Sequence, residues 1–135
     1  MTVYRDLLYD VRDSVARITI NRPKQYNAFT GDTLNEMTLA IESAGSDPAV
    51  GVIIFTGAGD KAFCAGGDVN WEKEGGLERM ILEPYRLHQT LSHCPKPIIA
   101  RVNRANCNHC MACINTCPYR AITSLPLKDR ALAAE

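Results

Sequence analysis

Val50-Gly51-Val52-Ile53-Ile54-Phe55 is a nearly continuous apolar run near the middle of the chain. Such a run suits a central strand covered on both faces, because a strand with one wet face alternates instead. Its neighbours set the fold class. Upstream, Leu34, Met37, Ile41 and Ala44 recur at helical spacing and predict one apolar helix face. Thr30 or Asp32 caps that helix, which runs to about Ala44 before Gly45-Ser46-Asp47-Pro48 stops it. Further upstream, Val15-Ala16-Arg17-Ile18-Thr19-Ile20 alternates with period two and predicts a strand. Leu7 to Val11 reads as another, and Arg12-Asp13-Ser14 as the tight turn of a hairpin between them. Pro23 ends the second strand because it donates no backbone hydrogen bond. Downstream, Leu77 to His93 is helical, with Pro84 marking a kink or a restart, and Ile98-Ile99-Ala100-Arg101-Val102 is a further buried strand. The order strand, strand, helix, strand, helix, strand argues for α/β layers with parallel strands.

The 135 residues hold 15 Lys plus Arg and 15 Asp plus Glu, a formal net charge of zero. That balance gives no global case for binding nucleic acid or an acidic membrane surface. No stretch approaches the roughly 18 consecutive apolar residues of a membrane span. Met1-Thr2-Val3-Tyr4-Arg5-Asp6 has no basic segment leading into an apolar run, so the expected compartment is the cytoplasm. Six cysteines are the compositional anomaly, and four of them lie between Cys107 and Cys117. In a reducing compartment such a cluster points to metal or iron–sulfur ligation rather than disulfides. Cys64 and Cys94 stand apart and read as ordinary buried thiols.

Residues 1–103 resemble the N-terminal half of the enoyl-CoA hydratase/isomerase (crotonase) superfamily. Four blocks carry the resemblance, in order. They are Ile18-Thr19-Ile20-Asn21-Arg22-Pro23 with Tyr26-Asn27-Ala28-Phe29; Gly51-Val52-Ile53-Ile54-Phe55-Thr56-Gly57; Lys61-Ala62-Phe63-Cys64-Ala65-Gly66-Gly67-Asp68; and Pro95-Lys96-Pro97-Ile98-Ile99-Ala100-Arg101-Val102-Asn103. The third block looks most like the branch of dihydroxynaphthoyl-CoA synthase and the ring-opening ketocyclohexanecarboxyl-CoA hydrolases. The resemblance implies a partial crotonase-like fold of mixed β/α layers and a coenzyme A thioester as substrate. It implies that the backbone N–H of Gly67 is one of two donors to a thioester oxyanion, with Asp68 beside it as a candidate catalytic group. One such donor is worth about 2.7–4 kcal/mol in the transition state. It places Lys24, Tyr26, Ala62, Cys64 and Ala65 along the coenzyme A. The other reading of the small-residue loop is a tight strand-to-helix turn. Asp68, Glu72 and Glu74 are available for recruitment as reacting groups, although charged residues after such a loop are usually a solvated face. After Asn103 the family continues with Gly-Tyr-Ala-Ile-Gly-Gly-Gly or similar, which supplies the second donor. Here Arg104 and then cysteines follow, so the resemblance implies weak hydratase activity or none.

From Asn103 the sequence changes character. Cys107-x2-Cys110-x2-Cys113-x3-Cys117-Pro118 resembles one half of a bacterial-type ferredoxin, and implies a [4Fe–4S] cluster in a segment spanning 104–135. Thiolates suit iron because soft anionic sulfur matches the cluster irons. Zinc also takes four thiolates and is the alternative, though structural zinc usually uses two separated pairs. His109 reads as a solvent-exposed spacer. In two-cluster ferredoxins the fourth cysteine of such a run binds the other cluster, so Cys107, Cys110 and Cys113 are firmer ligands than Cys117. Cys94, Cys64, a cysteine of a second cluster-bearing chain, or solvent then completes the set. Residues 101–135 carry five Lys/Arg and two Asp/Glu, which is basic for a ferredoxin segment. Three readings stand: an enzyme-derived, oligomeric acyl-CoA binder with a cluster segment; a small electron-transfer module that docks a redox partner; and a chimeric frame without activity.

Overall fold

The computed structural model describes residues 3–79 and 82–101. Strands β1 (Leu7–Arg12) and β2 (Val15–Ile20) form an antiparallel hairpin in which Leu7 faces Ile20 and Arg12 faces Val15. The turn residues Asp13 and Ser14 both sit at positive φ, 51° and 61°, so the chain reverses within two residues. A 3-10 turn (Pro23–Gln25) leads to α1 (Gly31–Ser46), and α1 to β3 (Val52–Gly57). β3 pairs parallel with β2, Ala16 beside Ile53 and Ile18 beside Phe55. Three short helical pieces follow: α2 (Val69–Trp71), a wide turn (Glu72–Gly76), and α3 (Leu77–Arg79). Helix α4 (Glu83–His93) then leads to β4 (Ile98–Ala100), parallel to β3. The sheet order is β1-β2-β3-β4.

The core lies between one sheet face and α1. On β2 every second residue, Ala16, Ile18 and Ile20, is buried, as the alternation predicts. Helix α1 answers with Leu34, Met37, Ile41 and Ala44, the four residues read from the sequence, together with Ala40. Thr30 is its cap: its Oγ1 accepts from the Thr33 backbone, and the Thr33 hydroxyl accepts from the Thr30 backbone in return. At the other end the helix continues two residues past Ala44. There the Lys96 ammonium donates to the carbonyl of Ala44 at 2.9 Å and to that of Asp47. A cation there satisfies carbonyls that have no partner within the helix, and it complements the helix dipole. Lys96 thus ties the approach to β4 onto the end of α1.

Two expectations need correction. β3 is central, but only Ile53 is buried in it, and β4 is not a buried strand, since Ile99 is 53% exposed. Ile53 faces α1. Ile54 and Ile99 lie side by side on the opposite face, which no described element covers. The second helical stretch is interrupted, with Pro84 in the first turn of α4, so the proline restarts a helix rather than kinking one. No helix among the described residues is long and apolar enough to cross a membrane.

Candidate functional site

Arg22, at the end of β2, organises the loops at the carboxyl ends of the parallel strands. Its guanidinium bonds Asp68 Oδ2 at 2.9 Å, lies 3.5 Å from Asp6 Oδ2, and donates to the Ala28 carbonyl. All three charged side chains are largely buried, between 11% and 16% exposed, so these contacts are less weakened by water than surface pairs. Asp6 is held in turn by the Thr33 hydroxyl at 2.6 Å, in the first turn of α1. Asn27 joins the same loops from within. It is fully buried at φ 57°, and its Oδ1 accepts from the Arg22 backbone. Its amide nitrogen donates to the carbonyls of Ala58 at 2.9 Å and Ala62 at 2.7 Å.

The 57–68 loop is thereby pinned to the 22–30 loop. Phe29 forms a parallel bridge with Gly67: its N–H donates to the Gly66 carbonyl, and its carbonyl accepts from Asp68 N–H. In a parallel bridge the residue opposite turns its own N–H away from the partner. Gly67 N–H therefore points out of the bridge, and it has no acceptor among the described residues. Gly66, at φ 109°, makes the turn just before it.

Asp68 is a structural carboxylate. It caps α2 by accepting from Asn70 N–H at 3.1 Å and Trp71 N–H at 3.2 Å. The Trp71 N–H holds its carboxyl below the ordinary Asp range; partial burial opposes that shift, and the Arg22 guanidinium adds to it. A carboxylate so fully engaged is a poor proton acceptor.

A cavity of about 210 Å³ opens beside these loops, lined by Pro23, Lys24, Tyr26, Asn27 and the segment 58–62. Lys61 holds its ammonium 5.7 Å from the centre of the Tyr26 ring, and Tyr26 itself is 53% exposed. Of the residues expected along coenzyme A, the structure brings Lys24, Tyr26 and Ala62 to this cavity. Cys64 and Ala65 lie on the same loop but do not line it. Cys64 is partly buried, with its Sγ 3.9 Å from the Gly66 carbonyl, and Ala65 N–H donates to the Tyr26 carbonyl. The sequence assigns Arg22, Asn27 and Lys61 no role in the site. Lys61 opens the third matching block, and that placement is the available signal.

A second hollow, about 490 Å³, lies between α1 and α4, where Glu42 and Thr90 meet at 3.3 Å. It is larger, but it touches none of the residues expected along coenzyme A; Cys94, one candidate to complete the cluster ligands, lines it. The candidate ligands Cys107, Cys110, Cys113 and Cys117 lie outside the described residues. Among the described residues no group of three or more His, Cys, Asp or Glu is placed to hold a metal ion.

Comparison with known proteins gives two family matches. The family described as Enoyl-CoA hydratase/isomerase matches residues 10–111, and the one described as 4Fe-4S binding domain matches residues 100–123. Similar solved structures include an enoyl-CoA hydratase/isomerase from Xanthobacter autotrophicus Py2, 33% identical with a TM-score of 0.68, over 75% of this chain and 39% of that one. An enoyl-CoA hydratase from Mycobacterium avium subsp. paratuberculosis is 32% identical with a TM-score of 0.62, over 73% and 36%. A carnitinyl-CoA dehydratase from Mycobacterium thermoresistibile is 31% identical with a TM-score of 0.63, over 70% and 30%. The chain thus spans well under half the length of each of these structures.

Proposed function

The chain belongs to the enoyl-CoA hydratase/isomerase family, and we propose that residues 1–103 bind an acyl-CoA thioester and polarise its carbonyl with the N–H of Gly67. One observation carries this reading: an outward, unpartnered N–H at Gly67 stands on the same pinned loops as a cavity flanked by two lysines and an exposed tyrosine. Lys24 and Lys61 supply the charge for the phosphates of coenzyme A, and Tyr26 a flat face for its base. The held loop keeps the donor aimed before substrate arrives, which is what makes such a donor effective. Asp68 acts through Arg22 to hold the loop rather than as a reacting group.

Calorimetric titration with coenzyme A tests the reading. Lys61→Glu replaces attraction with repulsion at an exposed site, so affinity should fall about tenfold, or roughly 1.4 kcal/mol. The loss should shrink as salt is raised. An unchanged affinity would move the phosphates elsewhere. No binding by the unaltered chain, with no thermal stabilisation by acyl-CoA, would remove the thioester reading altogether.

A second proposal concerns residues 104–135 and rests on the 4Fe-4S match. Cys107, Cys110, Cys113 and Cys117 are thiolate donors of the kind that hold an iron–sulfur cluster, which when bound carries electrons one at a time. Cys110→Ala should abolish cluster loading, measured as iron content and visible absorption after anaerobic purification. Full iron retention would overturn the ligand assignment, and stoichiometric zinc in place of iron would favour the zinc alternative.

A further inference from the structure

Two carboxylates stand at the Gly67 donor, and the fold uses only one of them. Asp68 caps α2 and pairs with Arg22. Glu72 sits one turn later, its N–H donating to the Asp68 carbonyl at 2.9 Å. Helical side chains lean toward the helix N-terminus, so a long side chain at this position reaches back over the residue before the cap. It does so here: a β-carbon added to Gly67 would lie 1.9 Å from Glu72 Oε1 and 3.0 Å from its Cδ. The carboxylate therefore lies against the α-carbon of Gly67. Glu72 is half-buried, and among the described residues its carboxylate has no hydrogen bond or ion pair. A partly buried carboxylate that the fold leaves unused, beside an N–H that the fold also leaves unused, is a chemical pairing rather than a structural one.

We propose that Glu72 is the proton-transfer residue of this site, an inference that rests on the acyl-CoA reading above. With the thioester oxygen on Gly67 N–H, Glu72 takes a proton from the carbon next to the carbonyl. The C–H bond breaks, an O–H bond forms on Glu72, and the released electron pair becomes the enolate, whose charge settles on the thioester oxygen. Reversal returns the proton to the same carbon. The negative charge passes from carboxylate to oxyanion, so the net charge of the site is constant through the step. The oxygen that needs the donor and the carbon that needs the base are only two bonds apart, which is the separation that adjacent Gly67 and Glu72 can serve together. Asp68 is already engaged by Asn70 N–H, Trp71 N–H and Arg22.

The test uses the full chain and butyryl-CoA in D₂O, with exchange of the protons next to the carbonyl followed by NMR and binding followed by calorimetry. The unaltered chain should bind and exchange. Glu72→Gln should keep affinity within about twofold and lose exchange by at least ~100-fold, the usual scale of a positioned acid–base group. Exchange by Glu72→Gln at the unaltered rate, or binding by the unaltered chain without exchange, overturns the inference and leaves the binding reading intact. Failure of the unaltered chain to bind overturns the binding reading itself. Glu72→Asp keeps the charge and withdraws it by one methylene, so its exchange should be slowed with binding retained. It serves as the second variant if Glu72→Gln does not fold, and an unchanged rate in it counts against Glu72.

Discussion

Asn27→Ala is expected to cost the fold about 3 kcal/mol, because it leaves three part-buried backbone groups without partners at once. The Arg22 N–H loses its acceptor, and the carbonyls of Ala58 and Ala62 lose their donor. Each orphaned group costs about 1–3 kcal/mol where water cannot reach it. The side chain is fully buried, so water replaces these bonds only in part, from the side of the neighbouring cavity. Position 27 also sits at φ 57°, which asparagine tolerates better than alanine. Against a total stability of about 5–15 kcal/mol for a small domain, that loss is a large share. Urea denaturation measures it as a lower midpoint with an unchanged slope. Asn27→Asp separates the contributions. It keeps the backbone preference and the acceptor for Arg22 N–H, but turns a carboxylate oxygen toward two carbonyls, so it should be at least as damaging as alanine. A loss below about 1 kcal/mol in both variants would mean that the loops hold together without this amide.

Such a role has no local signature, which explains what was and was not legible. The alternation in Val15–Ile20 and the spacing of Leu34, Met37, Ile41 and Ala44 report burial against neighbours through period alone, and both were read correctly. Arg12-Asp13-Ser14 reversed the chain as its residue types suggest. The apolar runs at β3 and β4 were harder. A continuous run says that both faces favour cover, but not what covers them, and Ile99 stays exposed among the described residues. In the site, Lys24, Tyr26 and Ala62 were placed by resemblance and do line one cavity. Arg22 and Asn27 stand within the matching blocks, yet nothing in the sequence assigns them a task. Their partners are far along the chain: Arg22 reaches Asp68 across 46 residues and Asn27 reaches Ala62 across 35. Hydrogen bonds over such separations leave no periodicity to read. For Glu72 the sequence leaves recruitment and a solvated face both open, and the approach of its carboxylate to Gly67 has no signature in the sequence.

Gly57→Ala should destabilise the chain by about 3 kcal/mol, at the upper end of what overpacking usually costs. Gly57 ends β3, where the backbone turns toward the loop that carries Gly67. A β-carbon there would stand 2.2 Å from the Phe63 carbonyl oxygen, 2.8 Å from that of Ala62 and 2.7 Å from the Asn27 amide nitrogen. Two of these three obstacles are backbone, so no rotamer change relieves them. The third makes a sharper forecast. Asn27 and Gly57 compete for the same space, so the added methyl should also displace the amide that Asn27→Ala removes. The double variant should therefore lose less than the sum of the two single losses, by at least about 0.5–1 kcal/mol, the coupling expected of residues in contact. Urea midpoints of the four chains measure that difference directly. Strict additivity would show that the methyl is accommodated by moving the 62–63 backbone alone. In that case Gly67 should shift with it, and acyl-CoA affinity should fall in Gly57→Ala even where the protein remains folded.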